Sequence, residues 1–106
     1  HLEKSQAERM RSAKILLKMT KEEVKEQLPN WFEGDVHDLG DEVINPYSGE
    51  TALLDAAELS MYDLIKGAEM VMTMGVADMD QCIDIINQGK DWFLAKNPKA
   101  YMTLLD

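Results

Sequence analysis

The pattern of apolar and polar positions predicts a chain made mostly of helices. Over residues 55–73 and 79–96, apolar side chains recur every three or four positions, which is the period of a helix that buries one face. Each stretch begins at or just after an aspartate, Asp55 or Asp78, that has Glu or Gln three positions later, as in a capping box. Gly75 follows the first stretch and ends it in the left-handed conformation that favours glycine.

Shorter helices are predicted on both sides of this pair. Thr20 caps a helix over residues 21–28, which ends before Pro29 because the residue before a proline avoids helical geometry. Asn97, followed by a proline, starts a last helix that contains residues 101–105. A first helix is predicted over residues 5–18, with an apolar stripe of Ala7, Met10, Ala13 and Leu17.

One part of the chain lacks a helical period and predicts β-structure. Two short apolar runs within residues 42–54 flank Pro46 and Gly49, which are typical turn residues, so we expect a small antiparallel hairpin. Residues 30–42 hold two glycines and predict a loop anchored by two adjacent aromatic residues. The expected fold class is therefore mostly α (α+β), with four to five helices and one small β-hairpin at about 42–54.

These elements are expected to form a single domain over residues 1–106 with one core. A length of 106 residues is typical of one domain, and 45% hydrophobic residues suffice for a core without disulfides. The lone Cys82 excludes an internal disulfide and a zinc site built on cysteines. The expected core consists of Trp31, Phe32, Val43, Leu53, Leu59, Tyr62, Ile65, Ile83, Ile86 and Phe93, together with Met61 and Met72.

Charge is unevenly distributed along the chain, whose net charge is −9. Residues 1–29 carry seven basic and five acidic side chains, whereas residues 30–106 carry four lysines and fifteen carboxylates, a net charge of −11. This balance argues against a general affinity for phosphate backbones. Either the acidic surface simply keeps the domain dispersed in water, or it meets a basic partner, or the basic N-terminal part meets an anionic one.

No group of residues predicts catalysis or cofactor binding. The acidic loop, with Glu33, Asp35, His37, Asp38, Asp41 and Glu42, lacks the spacing of a twelve-residue calcium loop and has only one histidine for zinc. Cys82 lies among isoleucines on a helix, so we expect a buried, unreactive thiol. The glycines do not form a phosphate-binding loop. We therefore expect no catalytic residue, no cofactor, no metal and no enzymatic activity.

Several short strings carry a resemblance that covers most of residues 19–106. They are Met-Thr-Lys-Glu-Glu-Val at 19–24, Asn-Pro-Tyr-Ser-Gly at 45–49, Tyr-Asp-Leu-Ile-Lys-Gly-Ala-Glu at 62–69, Asp-Trp-Phe at 91–93, Asn-Pro at 97–98 and Ala-Tyr-Met-Thr-Leu-Leu-Asp at 100–106. In these strings the chain resembles small uncharacterised proteins of marine tailed phages, especially phages of cyanobacteria. The resemblance implies a phage origin and no particular activity. Residues 1–18 lie outside it, and three interpretations of them stay open: a native N-terminal helical extension, a segment upstream of the natural start, or an artificial addition.

Two functions from different classes follow. The first is a small acidic, non-enzymatic interaction protein, phage-related, that docks on another protein and forms a homodimer if its methionine-rich edge is exposed. The alternative is a winged-helix-like nucleic-acid-binding protein, because short helices, a hairpin and further helices resemble that order of elements. In the alternative, Lys14, Lys18, Lys21 and Lys25 would contact phosphates, whereas the carboxylates at the ends of the hairpin oppose it.

The expected location follows from hydropathy. No apolar run approaches the 18 residues of a membrane span, and the charged residues among the first eleven leave no room for the apolar segment of a signal peptide. We expect no membrane contact and a cytoplasmic location, in the host cell if the protein is phage-encoded.

Overall fold

Helices and one β-hairpin make up the fold of the computed structural model, which describes residues 18–75 and 78–106. The elements in chain order are α1 (Lys21–Gln27), β1 (Asp41–Ile44), β2 (Thr51–Leu54), α2 (Ala56–Met74), α3 (Met79–Lys96) and α4 (Pro98–Leu104). The two strands pair in antiparallel fashion. The fold class is thus mostly α with a small β part, as predicted.

Side-chain caps set the helix starts where the sequence predicts them. Asp78 caps its helix by accepting from the amide of Gln81 at 3.3 Å. At Thr20 and Asp55 the cap oxygen likewise accepts from the amide of the third helical residue, at 3.1 Å and 2.8 Å. A glutamate side chain accepts in return from the amide of the cap residue. Asn97 accepts from the amide of Ala100 at 3.1 Å. Gly75, at φ +70°, ends α2 in the left-handed region, also as predicted.

The hairpin has one face in the core and one face in water. Its register places Asp41 opposite Leu54 and Ile44 opposite Thr51. Successive side chains alternate between the two faces of a strand, so Val43, Ala52 and Leu54 share the face that packs against the core. The turn between the strands begins at Asn45, whose side-chain oxygen accepts from the amide of Tyr47 at 2.9 Å.

The core lies where the hairpin and the first half of α2 meet the other helices. Val24 of α1, Leu54 of β2 and Phe93 of α3 are fully buried. Gly89 lets α2 and α3 approach closely, because a Cβ atom there would lie 2.8 Å from Cγ1 of Ile65. The remaining members of this core cluster are Leu28, Ala56, Ala57, Met61, Ile65, Ala100, Leu104 and Leu105.

The predicted core is confirmed in part and wrong at two positions. Ile65, Ile86 and Phe93 are buried, as is Met61, while Met72 is half-buried. Leu53 and Ile83 were expected in the core but are 48% and 42% exposed. The half-buried side chains that pack against the core include Trp31, Phe32, Val43, Leu59 and Tyr62.

Both errors come from the geometry of neighbouring positions. Leu53 and Leu54 are adjacent in one strand, so only one of them can face the core, and Leu54 does. Ile83 follows the buried Cys82 on α3, and successive helix residues point about 100° apart. Local hydrophobicity identified the segments correctly but not the face that is buried.

The predicted first helix over residues 5–18 lies outside the described residues except for its end. Lys18 forms an isolated antiparallel bridge with Leu39, and the amide of Met19 donates to the carbonyl of Asp38 at 2.8 Å. The last residue of that prediction is therefore in an extended pairing and not in a helix. This pairing places the start of α1 beside the end of the acidic loop.

Candidate functional site

The solvent face of the hairpin carries large apolar side chains. Ile44 is 58% exposed and Leu53 is 48% exposed, and the register places both on the face that points away from the core. Tyr47, in the turn, is 97% exposed. We call Ile44, Tyr47 and Leu53 the hairpin surface.

The hairpin carries three carboxylates, of which Glu42 shares the solvent face with Ile44 and Leu53. Asp41, Glu42 and Glu50 are all exposed, and residues 41–54 contain no lysine or arginine. The hairpin segment is therefore negatively charged, and Lys99 of α4 lines a cavity together with Leu53. A protein surface that combines apolar and basic groups would complement both features.

Contacts on the other side hold the hairpin in place. Leu54 is fully buried in the core, and the side-chain amide of Asn45 donates to the carbonyl of Thr103, in α4, at 2.9 Å. The strand pair is thus attached to the helices at its base and at the start of its turn. The hairpin surface is presented in a fixed orientation.

A second feature is a groove of about 450 Å³ between α2, α3 and the loop that contains residues 34–37. Its apolar lining comes from Leu64, Ala68, Val71, Cys82 and Ile85. Its polar lining includes Asp35, His37 and Asp63. Apolar side chains and carboxylates thus line the same cavity. We refer to this cavity as the groove.

Two hydrogen bonds join the loop to α2 beside the groove. The buried Ser60 hydroxyl accepts from the amide of His37 at 2.9 Å and donates to the carbonyl of Ala56 at 2.7 Å. The ring Nε2 of His37 and Oδ2 of Asp63 lie 2.6 Å apart. Ser60 and Asp63 are one turn apart on α2, so both the backbone and the side chain of His37 are held by one helix.

The pairing of His37 with Asp63 was not predicted from the sequence. The two residues are 26 positions apart, one in a loop and one on a helix, and no motif links them. Their side chains are 37% and 52% exposed, so this is a surface pair whose contribution to stability is small. It matters for the position of the ring beside the groove.

Cys82 is buried, as predicted, with 6% of its surface exposed. It lies in the first turns of α3 and contributes to the apolar lining of the groove. That the thiol is unreactive stays a prediction.

The acidic loop does not assemble its side chains around one point. Glu33, Asp35, Asp38, Asp41 and Glu42 are exposed, and His37 turns to Asp63. Across residues 18–75 and 78–106, no three His, Cys, Asp or Glu side chains are grouped as metal ligands. In the same residues, no helix is long and apolar enough to cross a membrane.

The candidate phosphate-binding lysines lie at the start of the described chain. Lys18 is exposed and precedes α1, and Lys21 and Lys25 are exposed one turn apart on that helix. Glu22 and Glu26 have the same spacing on the adjacent part of α1, so carboxylates accompany the lysines. The fourth residue, Lys14, lies outside the described residues.

Comparisons with known proteins assign no family to this chain. Neither protein-family models, nor curated proteins, nor solved structures give a match. The resemblance to small proteins of marine phages stays a prediction, and the functional argument depends on the geometry of this chain alone.

Proposed function

We propose that the protein is a small non-enzymatic interaction module that docks on another protein through the hairpin surface. The observation that carries this proposal is the exposure of Ile44, Tyr47 and Leu53 on a hairpin whose opposite face is buried. Covering apolar surface is favourable by about 25 cal/mol per Å². Clustered apolar side chains at the surface are typical of sites where proteins associate.

The charge of the hairpin indicates the chemistry of the partner. The hairpin carries three carboxylates and no basic residue, and Glu42 shares the face of Ile44 and Leu53. A partner that inserts apolar side chains and places lysines or arginines at the edge of the contact would satisfy both parts of the surface. Opposite charges would also speed the encounter at low salt.

The anchoring of the hairpin favours tight binding. Leu54 and the bond from Asn45 to Thr103 hold the strands against the helices before any partner arrives. A surface that is already ordered loses less conformational entropy on binding. A host or phage protein in the cytoplasm is the partner we propose, and a second copy of the chain is an outcome that the test distinguishes.

The alternative, nucleic-acid binding, has less support. In a winged-helix arrangement the hairpin approaches the phosphates, and this hairpin would bring Asp41, Glu42 and Glu50 to them. Like charges at that contact would oppose binding.

The test is a selection of peptides from a random library displayed on phage particles. The immobilised full-length protein is the target. We expect selected peptides to combine aromatic or aliphatic residues with lysine or arginine. An I44T/Y47S/L53T variant should lose these peptides, because it removes the apolar side chains and keeps the charges. The matched control is M70T/M74T, which removes two exposed methionines of α2 and should bind as the parent protein does.

Three outcomes would contradict the proposal. The hairpin variant could bind the selected peptides as well as the control does, or the selected peptides could lack basic residues. The third outcome is a concentration-dependent dimer in analytical ultracentrifugation that only the hairpin variant abolishes, which would make a second copy the occupant. DNA binding at physiological salt that is lost on replacing Lys14, Lys18, Lys21 and Lys25 by alanine would favour the alternative function.

A further inference from the structure

The groove has the dimensions of a small-ligand site. Its volume of about 450 Å³ lies within the range of about 300–1,000 Å³ that is common for such sites. Leu64, Val71 and Ile85 give it apolar walls, and the buried Cys82 and Ala68 add small side chains between them. An apolar group of the size of a phenyl ring would replace water along these walls.

The carboxylates of the groove favour a cation. Asp35 and Asp63 belong to the lining, and among residues 18–75 and 78–106 no lysine or arginine lines the groove. Asp63 is bonded to His37 through Oδ2, and a carboxylate has further acceptor positions, so Oδ1 keeps the capacity to accept from a ligand. An ammonium group would find opposite charge at the edge of apolar walls.

The groove is also held in shape before a ligand arrives. Ser60 and Asp63 hold the loop through His37, and a Cβ atom on Gly34 would lie 2.9 Å from Cζ of Phe32, so the loop is closely packed there. At Gly67, in contrast, an added Cβ would have no heavy atom of the described residues within 4 Å. Gly67 therefore leaves open space in the lining that a larger side chain would occupy.

We propose that the groove binds a small organic ammonium ion, an apolar group that carries one positive charge. The apolar part contacts Leu64, Val71 and Ile85, and the ammonium group contacts the carboxylates of Asp35 and Asp63. This site is separate from the hairpin surface, and neither proposal depends on the other.

The test is a titration of the full-length protein with three probes of similar size. Binding is measured from changes in amide chemical shifts in NMR spectra. The probes are phenethylammonium, the neutral 2-phenylethanol and the anionic 3-phenylpropanoate. We expect shifts at groove residues, and affinity for the cation about tenfold higher than for the anion, which corresponds to about 1.4 kcal/mol. Higher salt should reduce this preference because both carboxylates are accessible to solvent.

Four variants separate the parts of the proposal. Gly67→Leu should fill the groove and abolish the shifts for all probes, while the open space at this position leaves the fold intact. Asp63→Asn should remove most of the preference for the cation and keep the binding of the neutral probe. Glu50→Gln is the matched control, because it removes a carboxylate of the hairpin and leaves the groove unchanged. I44T/Y47S/L53T tests whether the groove is independent of the hairpin surface. Both variants should bind the cation as the parent protein does.

Several results would overturn the proposal. Equal affinities for cation and anion would do so, as would shifts confined to residues outside the groove. Unchanged binding by a folded Gly67→Leu variant would show that the probes bind elsewhere. An effect of Glu50→Gln as large as that of Asp63→Asn would mean that overall charge, and not the groove, attracts the cation.

Discussion

The two halves of α2 have similar apolar patterns and opposite environments. In the first half, Met61 and Ile65 are fully buried in a cluster with side chains of α1, β2 and α3. In the second half, Met70 and Met74 are 65% and 63% exposed, and Ala68 is the last buried residue of the helix. The difference shows that burial of an apolar position depends on what lies opposite it.

The same difference explains where the groove forms. Leu64, at the middle of α2, packs against the core cluster, whereas Ala68 and Val71 lie beyond Ile65, the last residue of the helix in that cluster. There the loop and α3 border the helix without filling the space between them. The well-packed half supplies stability, and the less covered half supplies a cavity.

The largest expected change in the free energy of unfolding comes from comparing one methionine in each half of α2. Met61→Ala should lower the free energy of unfolding by about 2–5 kcal/mol, because it leaves a cavity in a packed core. Met70→Ala should change it by less than about 0.5 kcal/mol, since its side chain is mostly in water. Urea denaturation measures both. Similar losses for the two variants would contradict the contrast between the halves.

A second pair compares two hydroxyls that donate to the carbonyl four residues earlier. Ser60→Ala should cost about 1–3 kcal/mol, because the amide of His37 loses its acceptor in a buried setting. Thr73→Ala, whose hydroxyl bonds to Glu69 on the exposed second half, should have an effect below about 0.5 kcal/mol. Denaturation and amide exchange at His37 provide the measurements. Unchanged protection of that amide in Ser60→Ala would refute the role of the hydroxyl.

The smallest expected changes in stability come from replacing two helix glycines by alanine, and we expect these two changes to have opposite signs. Gly89→Ala should destabilise the fold by about 1–2 kcal/mol, since the new Cβ would lie within 3.3 Å of side-chain atoms of Ile65 and Met61. Gly67→Ala should stabilise it by about 0.5–1 kcal/mol, because the position is open and alanine favours a helix. Thermal denaturation of both variants tests this. A stabilised Gly89→Ala variant would mean that α2 and α3 are not closely packed there.

The candidate sites could be predicted only in part. Alternation along a strand implies that Leu53 and Leu54 face opposite sides, so an exposed apolar residue in β2 was implicit in the sequence. The groove was not, because it requires a loop to lie beside two helices. The contact of His37 with Asp63 likewise depends on the folded path of the chain.

The sequence by itself determined where the helices begin and end. The caps at Thr20, Asp55 and Asn97 and the stop at Gly75 act within one helical turn, so the residues that satisfy them are neighbours in the chain. Tertiary structure alone decided which apolar residues are covered, as the contrast between Met61 and Met70 shows. The physical reason is range: a cap needs a partner a few residues away, whereas burial needs surfaces from distant parts of the chain to meet.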